Sequence, residues 1–424
     1  MEEKMESVLL AEGKTKIIWS TEDPSQVIIE SKDDITAGNG SKHDIAIGKA
    51  ASSNRTTSNV FKALEACGVR TAFLKEIDEI RFLAKKCEMI LSEIVVRREA
   101  HGSYLKRHPE FSKGHVFSQL VVEYFLKTSE KRWNGGDIPE DDPLMIFDES
   151  FEHASLYIPS KPIRQQEPFL IIEDFPLKGS PEIIKQIAEI ARKVFLILEK
   201  FWQLAGKRLV DFKLEFGIDP EGKLVLADVI DSDSWRIIDN GNYFDKQLYR
   251  DGTSLAVVME KYQLVAKLTD NFVLPQQQII LWKASEKDDL SSFDGAMGDL
   301  LYLRKEEVYS LHKQPTQAIQ KLTKLLQEVP DSVVIVYCGR SNGAGPILSA
   351  HCTVPVITVP AGWEKLPEDV WSSLRGPSNV PVMTVLDPGN AILAALQILA
   401  TRNPLIYAKL RQDQEKRFCN IFTF

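Results

Sequence analysis

Residues 211–236 read DFKLEFGIDPEGKLVLADVIDSDSWR. Asp211, Lys213 and Glu215 alternate with Phe212, Leu214 and Phe216, the period-two pattern of a strand with one face in a core. Asp219-Pro220-Glu221-Gly222 then supplies a type I turn, with proline second and glycine fourth. The stretch is therefore a β-hairpin. If Asp219 faces Gly222 across the turn, Lys213 faces Asp228 and Glu215 lies diagonal to it. Diagonal neighbours sit about 7–8 Å apart at Cα. Two carboxylates can converge from there on one Mg²⁺, which takes a few carboxylates together with phosphate oxygens. A solvated ion pair of little energetic weight fits the same pattern.

Other local signals point toward anions. EGKTK (12–16) puts Lys14 and Lys16 directly after a glycine turn between two apolar runs, where they can fold over phosphates; an ordinary hairpin tip has the same composition. HGSYLKR (101–107) joins glycine, a hydroxyl and basic groups, as either an anion pocket or a plain loop would. DSDSWR (231–236) adds Asp233 and Arg236 just beyond the hairpin.

A chain of 424 residues exceeds one ordinary core and implies two or three domains. The net charge of −8 argues against a nucleic-acid partner, so anionic ligands need local basic groups or a bridging cation. The five cysteines contain no CxxC pair, which reads as reduced thiols in a cytoplasmic protein. MEEKMESVLL has no apolar signal-peptide core, and no run approaches the roughly 18 apolar residues of a membrane span. AILAALQILA (391–400) reads as a core helix.

Strands are expected at SVLLAE, KTKIIWS, QVIIES, 69–74 and 87–98, with helices around 44–66 and 181–205. The clustering of strands and helices gives α+β. Residues 127–180 are turn-rich and proline-flanked, and predict an irregular excursion with one short edge-strand pair. Beyond residue 272 the pattern changes. QQQIILWK, VVIVYC and VPVITVPA are continuous apolar runs separated by helical stretches at 316–328, 343–350 and 389–402. That is the signature of a parallel sheet covered on both faces, hence a doubly wound α/β domain over 276–410. A helix over 251–268 is expected to bridge the two domains.

At this point the motifs resemble a known family. LVDFKLEFG (209–217), EGKTK, KDDITAGNG (32–40), GKAASSN (48–54), CEMI (87–90) and GSYLKR (102–107) follow the order of SAICAR synthetase, whose fold is of the ATP-grasp or kinase-like kind. Residues 1–268 match that family, and 276–424 resemble a class II AIR carboxylase. The resemblance implies a purine-biosynthesis ligase in which ATP activates the carboxylate of CAIR and L-aspartate displaces phosphate to give SAICAR. It implies Mg²⁺ on Glu215 and Asp228, and Lys213 beside the phosphates. Lys14 and Lys16 would lie on ATP, and the Glu88-Met89 segment along adenine. Arg97, Ser103 and Arg236 would hold CAIR, with Asp233, Asp245, Lys246 and Arg250 lining the same cleft. The family's Ile-Pro-Ile-Glu is here Ile90-Leu91-Ser92-Glu93. Its Lys-x-Asp…Asp-Pro segment survives as Lys127 and Asp142-Pro143, with Ser129 where an acid is expected.

In the second domain the family's Gly-Ser-x-Ser-Asp loop is Ala284-Ser285-Glu286-Lys287-Asp288. Loss of the glycine and gain of a glutamate weaken it as an anion loop. Ser310, His312 and Lys313 match a second motif, and GRSNGAGP (339–346) matches a third through Gly339, Arg340, Ser341, Asn342 and Gly343. These residues imply a site for AIR and CO₂, and class II resemblance implies a homo-octamer. An alternative is an active ligase whose carboxylase-like domain serves as an oligomerisation scaffold. A phosphotransferase acting on a small metabolite is the reading that the hairpin and lysines give without the resemblance.

Overall fold

The structure, a computed structural model, describes residues 8–37, 42–173, 181–339 and 341–419. It comprises two compact units, one ending at Leu274 and one running from Pro275 to Leu410. Residues 411–419 group with the first unit by their packing; the sequence reading assigns them to the second domain. Arg340 and residues 38–40 of KDDITAGNG lie outside the described residues.

The first unit holds a small and a large antiparallel sheet. The small one orders Leu9–Glu12, Lys16–Ser20, Gln26–Ser31, Arg81–Lys85 and Phe73–Glu76. Its first turn closes where the Gly13 N–H donates to the Lys16 carbonyl at 2.9 Å, which projects Lys14 and Lys16 from the hairpin end. The large sheet has nine strands, with Glu88–Glu99 and Arg208–Ile218 paired at its centre. Helix Pro181–Leu204 covers one face of it. Ile184, Ile187, Ala191, Val194, Leu198 and Phe201 recur at helical spacing and are all buried. Phe195 packs on Phe212 with ring centres 5.4 Å apart, so the apolar residues of the DFKLEFG alternation face this helix and the charged ones face away.

The hairpin forms, but its register differs from the expectation by one residue. Glu215 faces Ala227, Ile218 faces Leu224, and ladder pairing stops before Asp228. The cause is the turn. Gly222 adopts a left-handed φ of 76°, and the Asp219 N–H donates to the Lys223 carbonyl at 2.9 Å. A type I turn followed by a left-handed residue makes a bulged three-residue loop, which adds a residue to one strand. Asp228 itself has φ 63°, a left-handed conformation that turns the chain off the sheet. The chain rejoins at Trp235, which pairs with Phe212. Residues 228–234 thus arch out beside Lys213.

Residues 127–180 hold more order than one strand pair. Leu144–Phe147, Ala154–Tyr157 and Leu170–Ile172 extend the large sheet at one side. The long strand Val116–Leu126, absent from the sequence-based expectation, joins them to Glu88–Glu99. Helix Leu255–Thr269 does not act as a bridge; it packs on helix Lys49–Ala66 within the first unit.

The second unit is a five-stranded parallel sheet in the order Arg304–Val308, Gln278–Lys283, Ser332–Cys338, Val356–Pro360 and Met383–Thr384. Gln278–Lys283 comes first in the chain yet lies second in the sheet. The loops after it and after Ser332–Cys338 therefore leave in opposite directions, at the switch point where open α/β sheets bind ligands. The polar edge strand Arg304–Val308 carries no apolar run to announce it.

Candidate active site

Two adjoining cavities of about 340 and 200 Å³ lie on the charged face of the large sheet. Arg97, Ser103, Asp211 and Arg236 line the first; Lys14, Lys16, Glu215, Asp228, Asp231 and Lys246 line the second. Glu93, Lys213, Asp233, Ser234 and Arg250 line both. Strand alternation is what brings these groups together, because Glu93, Val95 and Arg97 face Glu215, Lys213 and Asp211 in register.

The first cavity is built around buried ion pairs. Asp211 stands opposite Arg97 on one neighbouring strand and Arg236 on the other. Both guanidiniums donate to its Oδ2 at 2.6 Å. Arg97 also donates to Glu123 at 2.6 Å, and Arg107 donates to the other oxygen of Glu123 at 2.7 Å. Burial pulls the Arg97 pKa down, but Glu123 and Asp211 outweigh it and raise it. Gly102 has φ 56°, and a Cβ there would meet Arg236 Cζ at 2.9 Å, so only glycine lets the guanidinium pass. On another wall stand Glu140, Asp141 and Asp142. Burial, with help from Glu93 and Asp141, raises the Asp142 pKa.

The second cavity carries lysines against carboxylates. Lys16 pairs with Asp228. Lys127 pairs with Glu215 at 2.6 Å, and Lys213 with Glu93 at 2.8 Å. Burial lowers the Lys16 pKa to about 8 despite the nearby Glu215 and Asp231. Desolvation also acts against the Lys213 ammonium, yet Glu93, Glu215 and Asp233 raise it. Among the described residues no group of three or more potential ligands gathers for a metal. Glu215 and Asp228 both line the second cavity, each paired with a lysine. Two carboxylates facing a lysine-lined cavity suit a cation that completes its shell with phosphate and water oxygens.

Asp233 sits where the cavities meet. Its Oδ2 holds Lys246 at 2.9 Å and Lys49 at 3.4 Å, and its Oδ1 accepts from the Tyr262 hydroxyl at 2.5 Å. Burial opposes its ionisation, but the two lysines and the hydroxyl hold its carboxyl well below the usual range. Asp245 does not line the cavities. It is fully buried and accepts N–H bonds from Ile237 at 2.6 Å and Gln247 at 2.7 Å. Glu88 and Met89 also lie off both cavities, where Met89 faces Gly217 in the sheet and packs beside Ala72, Val225 and Ala227.

Sequence reasoning placed Lys49 in the GKAASSN motif without giving it a role, and missed Tyr262 and the shared role of Glu93. The spacing of Glu93 and Arg97 along one strand was a usable signal for Glu93. Tyr262 sits in the buried stripe of its helix with Val258, Met259 and Val265 and carries no local mark.

In the second unit, residues 284–288, 310–313, Gly339 and 341–343 follow the C-terminal ends of three neighbouring parallel strands. The Ser285 N–H donates to Asp288 at 3.0 Å, closing the first loop on itself. His312 lies over Gly343, where a Cβ would meet its Cε1 at 2.8 Å. Gly339 is similarly tight against the Ala361 carbonyl, 3.1 Å from a Cβ. Ser310 caps its turn through its carbonyl, which accepts from Lys313 and Gln314 N–H groups, while Lys313 and Ser341 are exposed. Asn342 is buried. It accepts from the Gly345 N–H at 2.9 Å and donates to Ser373 at 3.0 Å, so its side chain holds the loop to the Trp371–Ser373 segment.

The fold and site are those of a sheet-borne cleft with paired basic and acidic walls. The SAICAR synthetase family profile matches residues 9–146 and 160–269, and that of AIR carboxylase matches 300–418. A probable multifunctional protein ADE2 of Caenorhabditis elegans is 36% identical over 98% of this chain and 95% of its own. A bifunctional phosphoribosylaminoimidazole carboxylase/phosphoribosylaminoimidazole succinocarboxamide synthetase of Rattus norvegicus is 35% identical over 96% and 93%. A solved SAICAR synthetase in complex with ADP is 30% identical, with a TM-score of 0.50, over 62% of this chain and 97% of that one. The chain belongs to the family of SAICAR synthetases fused to an AIR carboxylase segment.

Proposed function

We propose that the first unit joins CAIR to L-aspartate, converting ATP to ADP and phosphate and releasing SAICAR, and that the second unit carboxylates AIR with CO₂ to give CAIR. The observation that carries the ligase reading is the shared wall of the two cavities. Arg97, Ser103 and Arg236 suit the phosphate of CAIR, and Lys14, Lys16 and Lys213 suit the phosphates of ATP. A CAIR carboxylate between them reaches the γ-phosphorus. Its oxygen attacks and ADP departs, leaving an acyl phosphate. The aspartate amine then attacks the acyl carbon, and phosphate departs with the C–O bonding pair and takes up the amine's proton. Lys213, Lys246 and Arg250 offset the charge on the transferring phosphoryl group and the leaving phosphate, with Asp233 orienting Lys246. Glu215 and Asp228 would hold Mg²⁺, which supplies charge neutralisation across the nucleotide phosphates. The backbone of Glu88-Met89 is assigned to adenine.

For the second unit, Ser285, Asp288, Ser310, His312, Lys313, Gly339, Ser341 and Gly343 are assigned to AIR and CO₂, at a switch point suited to ligands. The protein is further proposed to be a cytoplasmic homo-oligomer, an octamer by resemblance of this unit. The free thiols of Cys67, Cys87, Cys338 and Cys352 support a reducing compartment. No helix among the described residues is long and apolar enough to cross a membrane.

One assay series tests the proposal. Purified protein with CAIR, ATP and Mg²⁺ should form SAICAR and ADP only when L-aspartate is present; a phosphorylated product without aspartate would replace the ligase with a phosphotransferase. AIR with bicarbonate and no ATP should give CAIR. No turnover there, alongside a normal ligase, would make the second unit a scaffold. Light scattering of the same preparation gives the oligomeric state, and a monomer would overturn the assembly.

A further inference from the structure

Asp233 has an unusual surplus of partners. Three side chains from three different elements converge on its two oxygens. Lys246 comes from the cleft, Lys49 from the first turn of helix Lys49–Ala66, and Tyr262 from the middle of helix Leu255–Thr269. Lys49 is only 1% exposed, and Tyr262 is buried beside Val258 and Met259. A lysine ammonium seldom goes fully inside unless it is paired, because desolvating it costs several kcal/mol. Here the helix start holds it in place, as the Ala50 N–H is itself fixed to Asp33 at 2.8 Å. The backbone of Asp233 is tied as well, donating to Asp231 at 2.8 Å.

We infer that Lys49 and Tyr262 are positioning residues for the ligase reaction, clamping Asp233 from behind so that it presents Lys246 at the junction of the two cavities. The inference rests on the ligase reading. Neither residue touches a substrate in this account. Lys49 balances the charge of Asp233 so that the carboxylate does not neutralise Lys246, and Tyr262 fixes the direction of its other oxygen. With both donors in place the carboxylate stays ionised and anchors Lys246. The arrangement also ties the cleft to the packing of two helices, since a shift between them would move Lys49 and Tyr262 relative to one another.

Tyr262→Phe removes one hydroxyl and keeps the buried ring, so the fold is retained. The expected result is a fall in ligase kcat of about tenfold to a hundredfold, the scale of a misplaced catalytic group. KM for ATP should be unchanged. Lys49→Met should show the same pattern, Lys49→Arg should recover most of it, and the double variant should lose less than the product of the two single losses. A purely packing role would lower the melting temperature and leave kcat in place at temperatures where the variant is folded. The wild type is assayed in parallel. If it makes no SAICAR, the ligase reading falls and the positioning role with it. If it does, and Tyr262→Phe keeps wild-type kcat, only the positioning role is overturned.

Discussion

Arg236 donates to Asp211 Oδ2 at 2.6 Å from the adjacent strand, at a position directly opposite it in the ladder. Arg97 does the same from the other side. A single carboxylate thus aims two guanidiniums into one cavity. Asp211→Asn keeps the shape but removes the charge, and breaking a buried pair of this kind costs about 3–5 kcal/mol. The expected outcome is a lower unfolding midpoint and a CAIR KM raised about tenfold or more. Steady-state kinetics with CAIR varied checks it; an unchanged KM would remove Asp211 from phosphate recognition.

Glu215→Gln and Asp228→Asn address the cation. Each variant frees a lysine, Lys127 or Lys16, from its carboxylate. Mg²⁺-dependent turnover should be lost in both while the circular dichroism spectrum is retained. Mg²⁺ titration of the activity is the measurement, and near-normal turnover in the two variants would refute the assignment.

Asp245 predicts a pH dependence of stability. Burial raises its pKa from 3.8 to about 7. The folded protein therefore keeps a proton that the unfolded chain releases between those values. Its contribution to stability is complete below the unfolded value and is lost as the pH rises through about 7. Denaturant titrations from pH 5 to pH 8 should show the wild type losing more stability with rising pH than Asp245→Asn. Parallel curves for the two proteins would contradict the shift.

Glu415 makes the opposite case to Asp211. It receives Arg98 at 2.8 Å and the Leu120 N–H at 3.0 Å, and Arg98 also holds Glu199 at 2.8 Å. Arg98 follows Arg97 in the strand and points to the other face, away from the cavities. Glu415→Gln should cost about 3 kcal/mol in the unfolding of the first unit. KM values for CAIR and ATP should not change. A kinetic effect without a stability effect would reverse this assignment.

Much of the cleft was legible in the sequence because strand alternation is strict. Once Asp211, Lys213 and Glu215 share a face, their neighbours on the paired strands follow. The register was not legible, because it depends on whether Gly222 closes the turn or bulges it, and the sequence Asp-Pro-Glu-Gly suits both. Val116–Leu126 mixes polar and apolar residues without a clean period, so it escaped notice although it is central to the sheet. The contacts of Lys49 and Tyr262 with Asp233 were invisible for another reason. The two side chains reach Asp233 through the packing of two helices far apart in the chain, and no local pattern encodes that contact. In the second unit the continuous apolar strands announced the parallel sheet. The inward-facing role of Asn342 depended on Ser372 and Ser373, thirty residues on.

Five residues belong to both cavities, and that sharing has a kinetic consequence for the proposed chemistry. An acyl phosphate formed at the common wall stays between the cavities proposed for CAIR and for ATP. It meets the amine there, with no exit into solvent where water competes for the acyl carbon. Partitioning should therefore strongly favour the amide. Hydroxylamine added during turnover should divert little product while aspartate is saturating, and extensive capture as the hydroxamate would mean that the wall leaks.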